Sequence, residues 1–391
     1  MFTIMMRWTL TKGMMEMADN VVLRNIKMLD GTSADIVIES RKIVEIALPG
    51  TAAGENVIDY QNKAYASSGW IDMHVHAFSE FKPYGDDIDE IGYKTGVTTI
   101  VDAGSTGADR VHELAERAQN AKTNVFAFLN VSRIGLERVD ELSDLSLLNK
   151  EALKQAVKKY KDFIVGLKAR ISNSVVGEND IEPLKIAREF SKETKLPLMV
   201  HIGSGPPDIN DVLGLLKKKD VMTHFLNGKA NNLFDDRGKP LPAFLKAIKR
   251  GIHLDVGHGN ASFSFKTAEQ AKEYGIHFHT ISTDIYRKNR LHGPVYSMAN
   301  VLNKFLCLGY SLKETINGVT VDAAAWLNKP ELGRITKGDI ANLTLFSVED
   351  ETIDLIDSDG EKREAKQRIE VKGVVVNGGY HACKVWAEAG Y

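Results

Sequence analysis

The chain has 391 residues, 43% hydrophobic and 26% charged, enough apolar material for a large core plus one modest extra domain. Its 50 basic and 52 acidic side chains leave a formal net charge of −2, which removes the electrostatic case for nucleic acid or an anionic membrane as partner. The two cysteines, Cys307 and Cys383, make neither a disulfide framework nor a zinc-finger spacing, and reduced thiols suit the cytoplasm.

The opening MFTIMMRWTLTKGMMEM has no continuous apolar run and no small-residue cleavage site, so residues 1–17 read as a disordered leader or a misassigned start rather than a signal peptide. No later run approaches the roughly 18 apolar residues that span a bilayer. Residues 21–23, 34–38 and 43–46 alternate or are β-branched and predict short strands, with a turn at Asp30-Gly31.

The pattern then changes to strand–helix alternation. Strands are predicted at 66–75, 97–103, 124–130, 164–170, 198–202, 221–226, 252–256 and 276–282. Between them, Val111, Leu114, Ala115 and Ala118 share one helical face. So do Leu153, Ala156, Val157 and Tyr160, and again Leu241, Phe244, Leu245 and Ile248. The strands are short and apolar, as expected when both faces are buried. Eight such units predict a (β/α)8 TIM barrel over 64–330, with a doubly wound open sheet as the alternative. No GxGxxG follows the first strand to support a dinucleotide-binding version. Strands are again predicted at 341–347 and 371–377. Segments 18–63 and 331–391 are therefore expected to form one small β-sandwich domain from both chain ends. The charged stretch 349–370 between those strands reads as a solvated hairpin or flap.

Four of the 11 histidines lie at predicted strand ends. His74 and His76, in SSGWIDMHVH, are i and i+2 on one strand, so both imidazoles can reach one metal. His201 ends LPLMVHIG and His224 ends VMTHFLNG, about one βα unit apart. Either alone suits a packed or hydrogen-bonded histidine, but all four occupy the end where such barrels place active sites. Lys168 lies inside the apolar FIVGLKAR. A buried ammonium is costly and repels divalent cations, whereas a carbon dioxide-derived carbamate is an anion whose two oxygens can bridge them. A snorkelling or acid-paired lysine is the other reading. Asp284, in HTISTDIYR, can bind a metal and accept a proton, or simply shape a turn.

This combination resembles the amidohydrolase superfamily, in its binuclear branch with a bridging carboxylated lysine. The resemblance covers almost the whole chain: the split β domain, HxH on strand one, Lys on strand four, His on strands five and six, and Asp on strand eight. It implies that His74 and His76 hold the more buried metal with Asp284, and that His201 and His224 hold the more exposed one. Carboxylated Lys168 and a hydroxide would bridge the two. Residues 255–265 (DVGHGNASFSF) and 282–298 (STDIYRKNRLHGPVYSM) are similar to bacterial deacetylase-like members, often labelled adenine deaminase or dihydroorotase. Two departures separate the chain from other members. Ala77 and Phe78 follow the HxH where dihydroorotases carry HxHxR, and VDAGST (101–106) lacks the bridging cysteine of D-aminoacylases.

The expected chemistry is hydrolysis of an amide or ester by a metal-bridging hydroxide, with Asp284 as the proton carrier. The substrate expected is a small N-acyl or O-acyl carboxylic acid. Zinc is the metal that nitrogen and oxygen ligands favour, with manganese, iron and cobalt as alternatives. Arg170 shares the strand face of Lys168 and is placed to hold a carboxylate or to form a salt bridge within the barrel. His258, Tyr286, Arg287 and His292 follow strands seven and eight and are candidate substrate contacts. A cyclic-amide hydrolase, an adenine-type deaminase and a non-catalytic scaffold are the competing readings. Self-association into a homo-oligomer stays open.

Overall fold

The computed structural model describes residues 20–383, so the expectation for residues 1–17 lies outside the described residues. Five strands open the chain: β1 (Val21–Met28), β2 (Ser33–Glu39), β3 (Lys42–Ala47), β4 (Asn56–Asp59) and β5 (Tyr65–Ser68). Between β1 and β2 the predicted turn forms, with the Asp30 carboxylate accepting the Thr32 amide at 2.9 Å. The parallel series follows: β6 (Trp70–Val75), β7 (Val97–Ala103), β8 (Asn124–Asn130), β9 (Ile164–Ile171), β10 (Leu198–Ile202), β11 (Val221–Thr223) and β12 (His253–Asp255).

The strand expected over 66–75 divides at Gly69. A Cβ there would fall 2.0 Å from Thr98 Oγ1, so only glycine lets β5 join one sheet and β6 the other. Helices flank the parallel sheet, and the predicted faces at Val111, Leu114, Ala115, Leu153 and Ala156 are buried. In the helix Pro242–Arg250 the inward pair is Phe244 and Ala247, while Leu245 is exposed.

No eighth strand forms at 276–282. A single bridge joins Thr280 to Asp255 and another joins Ile285 to Val75, so an irregular segment closes the ring between β12 and β6. That segment bonds to both neighbours: Thr280 O accepts Val256 N at 3.1 Å, and Asp284 N donates to His74 O at 2.7 Å. Inside the ring, Ile71, Met73, Val101, Ala103, Phe128, Met199 and Val221 pack on Ala323 and Ala324 of the helix Val321–Trp326. The interior is thus a filled core, with chemistry confined to the opposite end.

The last strands are β13 (Leu343–Glu349), β14 (Ile353–Ile356), β15 (Lys362–Ala365), β16 (Arg368–Val376) and β17 (Gly379–Ala382). β13 pairs antiparallel with β5, so strands from both chain ends share one eight-stranded sheet. They also share a core of Leu23, Ile36, Ile38, Leu343, Leu345 and Val375. The charged stretch does form a hairpin, β14–β15, with Asp359 and Gly360 exposed at its tip. Asp357 is buried and accepts the Phe265 amide at 2.9 Å, so the tip is pinned to the loop after β12. Among the described residues, no helix is long and apolar enough to cross a membrane.

Candidate functional site

His74 and His76 reach the ring interior through an irregularity. Ile71 and Met73 already face inward, so simple alternation would turn residues 74 and 76 outward. Between Asp72 and Val75 the pairing with β7 slips by one residue, and this bulge brings both imidazoles onto the inner face. His201 continues the inward series of Met199 on β10, and Lys168 rises from β9 beside it.

Lys168 is wholly buried, with its Nζ 3.1 Å from His74 Nε2. Gly104 makes room for it: a Cβ there would lie 2.5 Å from Lys168 Cβ, and φ +78° is a conformation that glycine adopts without strain. Asp284 Oδ1 lies 3.2 Å from His76 Nε2 and 3.5 Å from His74 Nε2. His224 Nε2 lies 2.7 Å from His201 Nδ1. Ligand atoms of His74, His224 and Asp284 all fall within 4.8 Å of one another, a grouping fit for a metal ion.

Two of these residues hold left-handed backbone, His224 at φ 68° and Asp284 at φ 51°. Such conformations cost free energy and persist where surrounding bonds over-determine them. Here His224 O accepts both the backbone and the side-chain amide of Asn227, and Asp284 O accepts Asn289 Nδ2 at 2.8 Å.

Hydrogen bonds behind the rings orient them. Thr223 Oγ1 donates to Asp255 Oδ2 at 2.8 Å, so it accepts from His74 Nδ1 at 2.9 Å and leaves His74 Nε2 bare toward Lys168. His224 Nδ1 donates to Gly257 O at 2.5 Å, which leaves Nε2 bare as well. His76 Nδ1 lies 2.9 Å from Ser105 Oγ. Burial, reinforced by neighbouring cations, holds His74 and His201 well below the usual imidazole range, and burial brings His224 to about 3. All three rings are therefore neutral at pH 7, the form that coordinates a metal. Burial also brings the Lys168 ammonium down to about 7. For Asp284, burial pushes the carboxyl up, but the His76 hydrogen bond and nearby positive charge outweigh it and the net shift is downward.

A cavity of about 170 Å³ opens over these groups, lined also by Tyr84, Arg170, Lys229, Asn260 and Tyr286. Arg170 makes the salt bridge expected of it, its Nη1 pairing with the wholly buried Glu141 at 3.1 Å, and it also lines the cavity. The other candidates separate. Tyr286 lines the cavity, whereas Arg287 and His292 are exposed on the helix Arg287–His292, which turns away from it. His258 is buried outside the cavity, stacked on Phe263 with ring centroids 4.6 Å apart, and its Nε2 is 2.7 Å from Lys304 Nζ.

Sequence reading missed Glu141, Asp255, Ser105, Thr223 and Lys229. Asp255 ends its strand as the histidines do, a signal of the same kind that passed unused. Glu141 and Lys229 lie in loops whose composition carries no such signal.

Comparison with known proteins bears on the fold and the family. A sequence model described as the amidohydrolase family matches residues 65–379. A protein of Enterococcus faecalis named deacetylase is 40% identical over 361 residues, covering 92% of this chain and 98% of that one. A solved structure described as an adenine deaminase superposes with TM-score 0.89 at 40% identity, covering 93% of this chain and all of the other. A second, described as a dihydroorotase, gives TM-score 0.88 at 30% identity over 94% of this chain and all of the other.

Proposed function

We propose, from the premise that this chain belongs to the amidohydrolase family and is a hydrolase acting on C–N bonds, that it is a metal-dependent deacylase of small acylated carboxylic acids. The convergence of four imidazoles, Lys168 and Asp284 at one mouth of the ring carries this reading. The donor set fits metal ions. His224 Nε2 and His201 Nδ1 lie 2.7 Å apart, so the two rings present nitrogens to one point.

His74, His76 and Asp284 would hold one divalent ion and His201 and His224 the other, with zinc favoured by this donor set. When bound, the ions supply Lewis acidity and an activated water. Lys168 would contribute as a carbamate. Its uncharged Nζ would form a bond to the carbon of carbon dioxide and release a proton to water, which would give an anion able to join the histidines and Asp284 in holding the ions. Asp284 Oδ1 accepts the proton of the attacking water and returns it to the leaving nitrogen or oxygen. Arg170, fixed by Glu141, orients the substrate carboxylate.

The relative named deacetylase supports acyl removal, while the neighbours described as adenine deaminase and dihydroorotase point to other leaving groups. Cationic Arg170 and Lys229 in the cavity favour an anionic substrate over neutral adenine. A panel that follows acetate, ammonia and ring opening in parallel discriminates these outcomes. Acetate release from acetylated amino or hydroxy acids is expected. Ammonia from adenine with no acetate from any acylated acid overturns the proposal.

A further inference from the structure

The loop after β11 carries a cation, Lys229, to which no step of the reaction above gives a role. Lys229 N donates to Asn227 Oδ1 at 3.0 Å, and Asn227 also braces His224, so the loop is fixed to the site. The Lys229 side chain lines the cavity and makes no hydrogen bond or ion pair among the described residues. Arg170, on the same cavity, has its charge compensated by Glu141. Burial and the Arg170 charge both disfavour the Lys229 ammonium, which Asp284 and Asp359 offset only in part. A half-buried ammonium beside a guanidinium, with no anion bonded to it, is an arrangement that an incoming anion stabilises.

The local geometry shows where that anion sits. A Cβ placed on Gly203 would lie 2.8 Å from Ser172 Oγ and 3.4 Å from Lys229 Nζ. Two donors therefore flank a bare stretch of backbone. Ser172 is buried, and its Oγ is 3.0 Å from Ser204 Oγ. Ser172 also follows Arg170 by two residues, so guanidinium, hydroxyl and ammonium line one wall. The cavity of about 170 Å³ is small for a ligand site, which suits a carboxylate on a short acylated acid rather than a bulkier phosphate ester.

We propose that Lys229, with Ser172 over Gly203 and Arg170 beside them, is the carboxylate clamp that makes the site selective for acylated acids over their uncharged analogues. This rests on the deacylase reading, and the test separates the two. With metal-loaded protein, kcat/KM is measured for N-acetylalanine and for N-acetylalaninamide, and lactate binding is measured by calorimetry, for the native chain, Lys229→Met and Gly203→Ala. The native chain should favour the acid. Lys229→Met should cut the acid-to-amide ratio by about 10- to 100-fold, the range for losing a hydrogen bond to a charged group. Lactate affinity should fall by a similar factor, with metal content unchanged. Gly203→Ala should weaken lactate binding without altering charge. Equal lactate affinity in the native chain and both variants overturns the clamp whatever the turnover. No acetate from any acylated acid, with lactate binding still dependent on Lys229, overturns the deacylase reading and leaves the clamp standing.

Discussion

Behind three of the candidate metal-binding imidazoles, those of His74, His76 and His224, stands an oxygen at hydrogen-bond distance, and behind the one at His74 stands a carboxylate. Asp255 is wholly buried and accepts hydroxyls from Thr223, Thr280 and Ser282 at 2.7 to 2.8 Å. Through Thr223 it sets the orientation of His74. Replacing Asp255 by Asn should lower metal affinity by about 10- to 100-fold, the usual range for such outer partners, as read by chelator competition. Unchanged affinity would show that His74 needs no such support. Lys168 makes a second claim at this scale. Burial brings its ammonium to about 7, so the reactive neutral amine grows as pH rises through that value and is nearly complete a unit above it. At fixed carbon dioxide, recarboxylation of metal-stripped protein should therefore rise between pH 6 and 8 and level off. A rise that continues past pH 10 would mark an ordinary lysine and contradict the burial argument. Lys168→Ala should fold, lose metal and at least about 10²-fold in kcat/KM, and regain part of it with short carboxylic acids. The four candidate histidines were visible in the sequence because each sits at or near a predicted strand end, where residue type and position reinforce one another, and Lys168 and Asp284 gained meaning from them. Glu141 and Lys229 were not, because a loop residue acquires its neighbours only through tertiary packing.

At the scale of elements, two irregularities shape the site more than the regular strands do. The slipped pairing in β6 turns His74 and His76 inward, and the closing segment after β12 delivers Asp284 from left-handed backbone. Neither is legible from periodicity. A bulge shifts alternation by one residue without a compositional mark, and single bridges leave an apolar run looking like a strand. The hairpin β14–β15 was visible as a charged excursion, but its role was not. Asp357 Oδ1 accepts the amides of Asp359 and Glu361 at 2.9 and 2.8 Å, and its Oδ2 holds Phe265 N. Ser358 Oγ donates to Gly259 O at 3.0 Å. The tip thereby braces the loop that carries Asn260 into the cavity. Asp357→Ala leaves buried amides unpaired and should cost about 1–3 kcal/mol in denaturant unfolding. It should also speed amide exchange over residues 258–265 and leave metal content intact. Loss of metal in this variant would mean that the hairpin supports the ligands themselves.

Across the whole molecule, the two chain ends meet in one sheet, and β5 passes directly into β6 at Gly69. Thr344 Oγ1 accepts Trp70 N at 3.0 Å and donates to Gly96 O at 2.8 Å, so the terminal sheet is bonded to the base of the ring. The strand signals at both ends were readable because they alternate or are β-branched, and a closed ring between them brings its ends together. Leu345 is wholly buried in the shared core. Leu345→Ala should cost about 2–5 kcal/mol and lower Tm, while the folded fraction keeps its metal content. Parallel loss of stability and metal would show that the sheet and the site are one cooperative unit. The central claim is that six side chains at the mouth of the ring bind two ions with a carboxylated Lys168 between them. Anomalous diffraction from crystals grown with zinc and bicarbonate tests it most directly. Two metal peaks on His74, His76, His201, His224 and Asp284, with density extending from Lys168 Nζ to both, are predicted; one peak or none, beside an unmodified Lys168 amine, would contradict it.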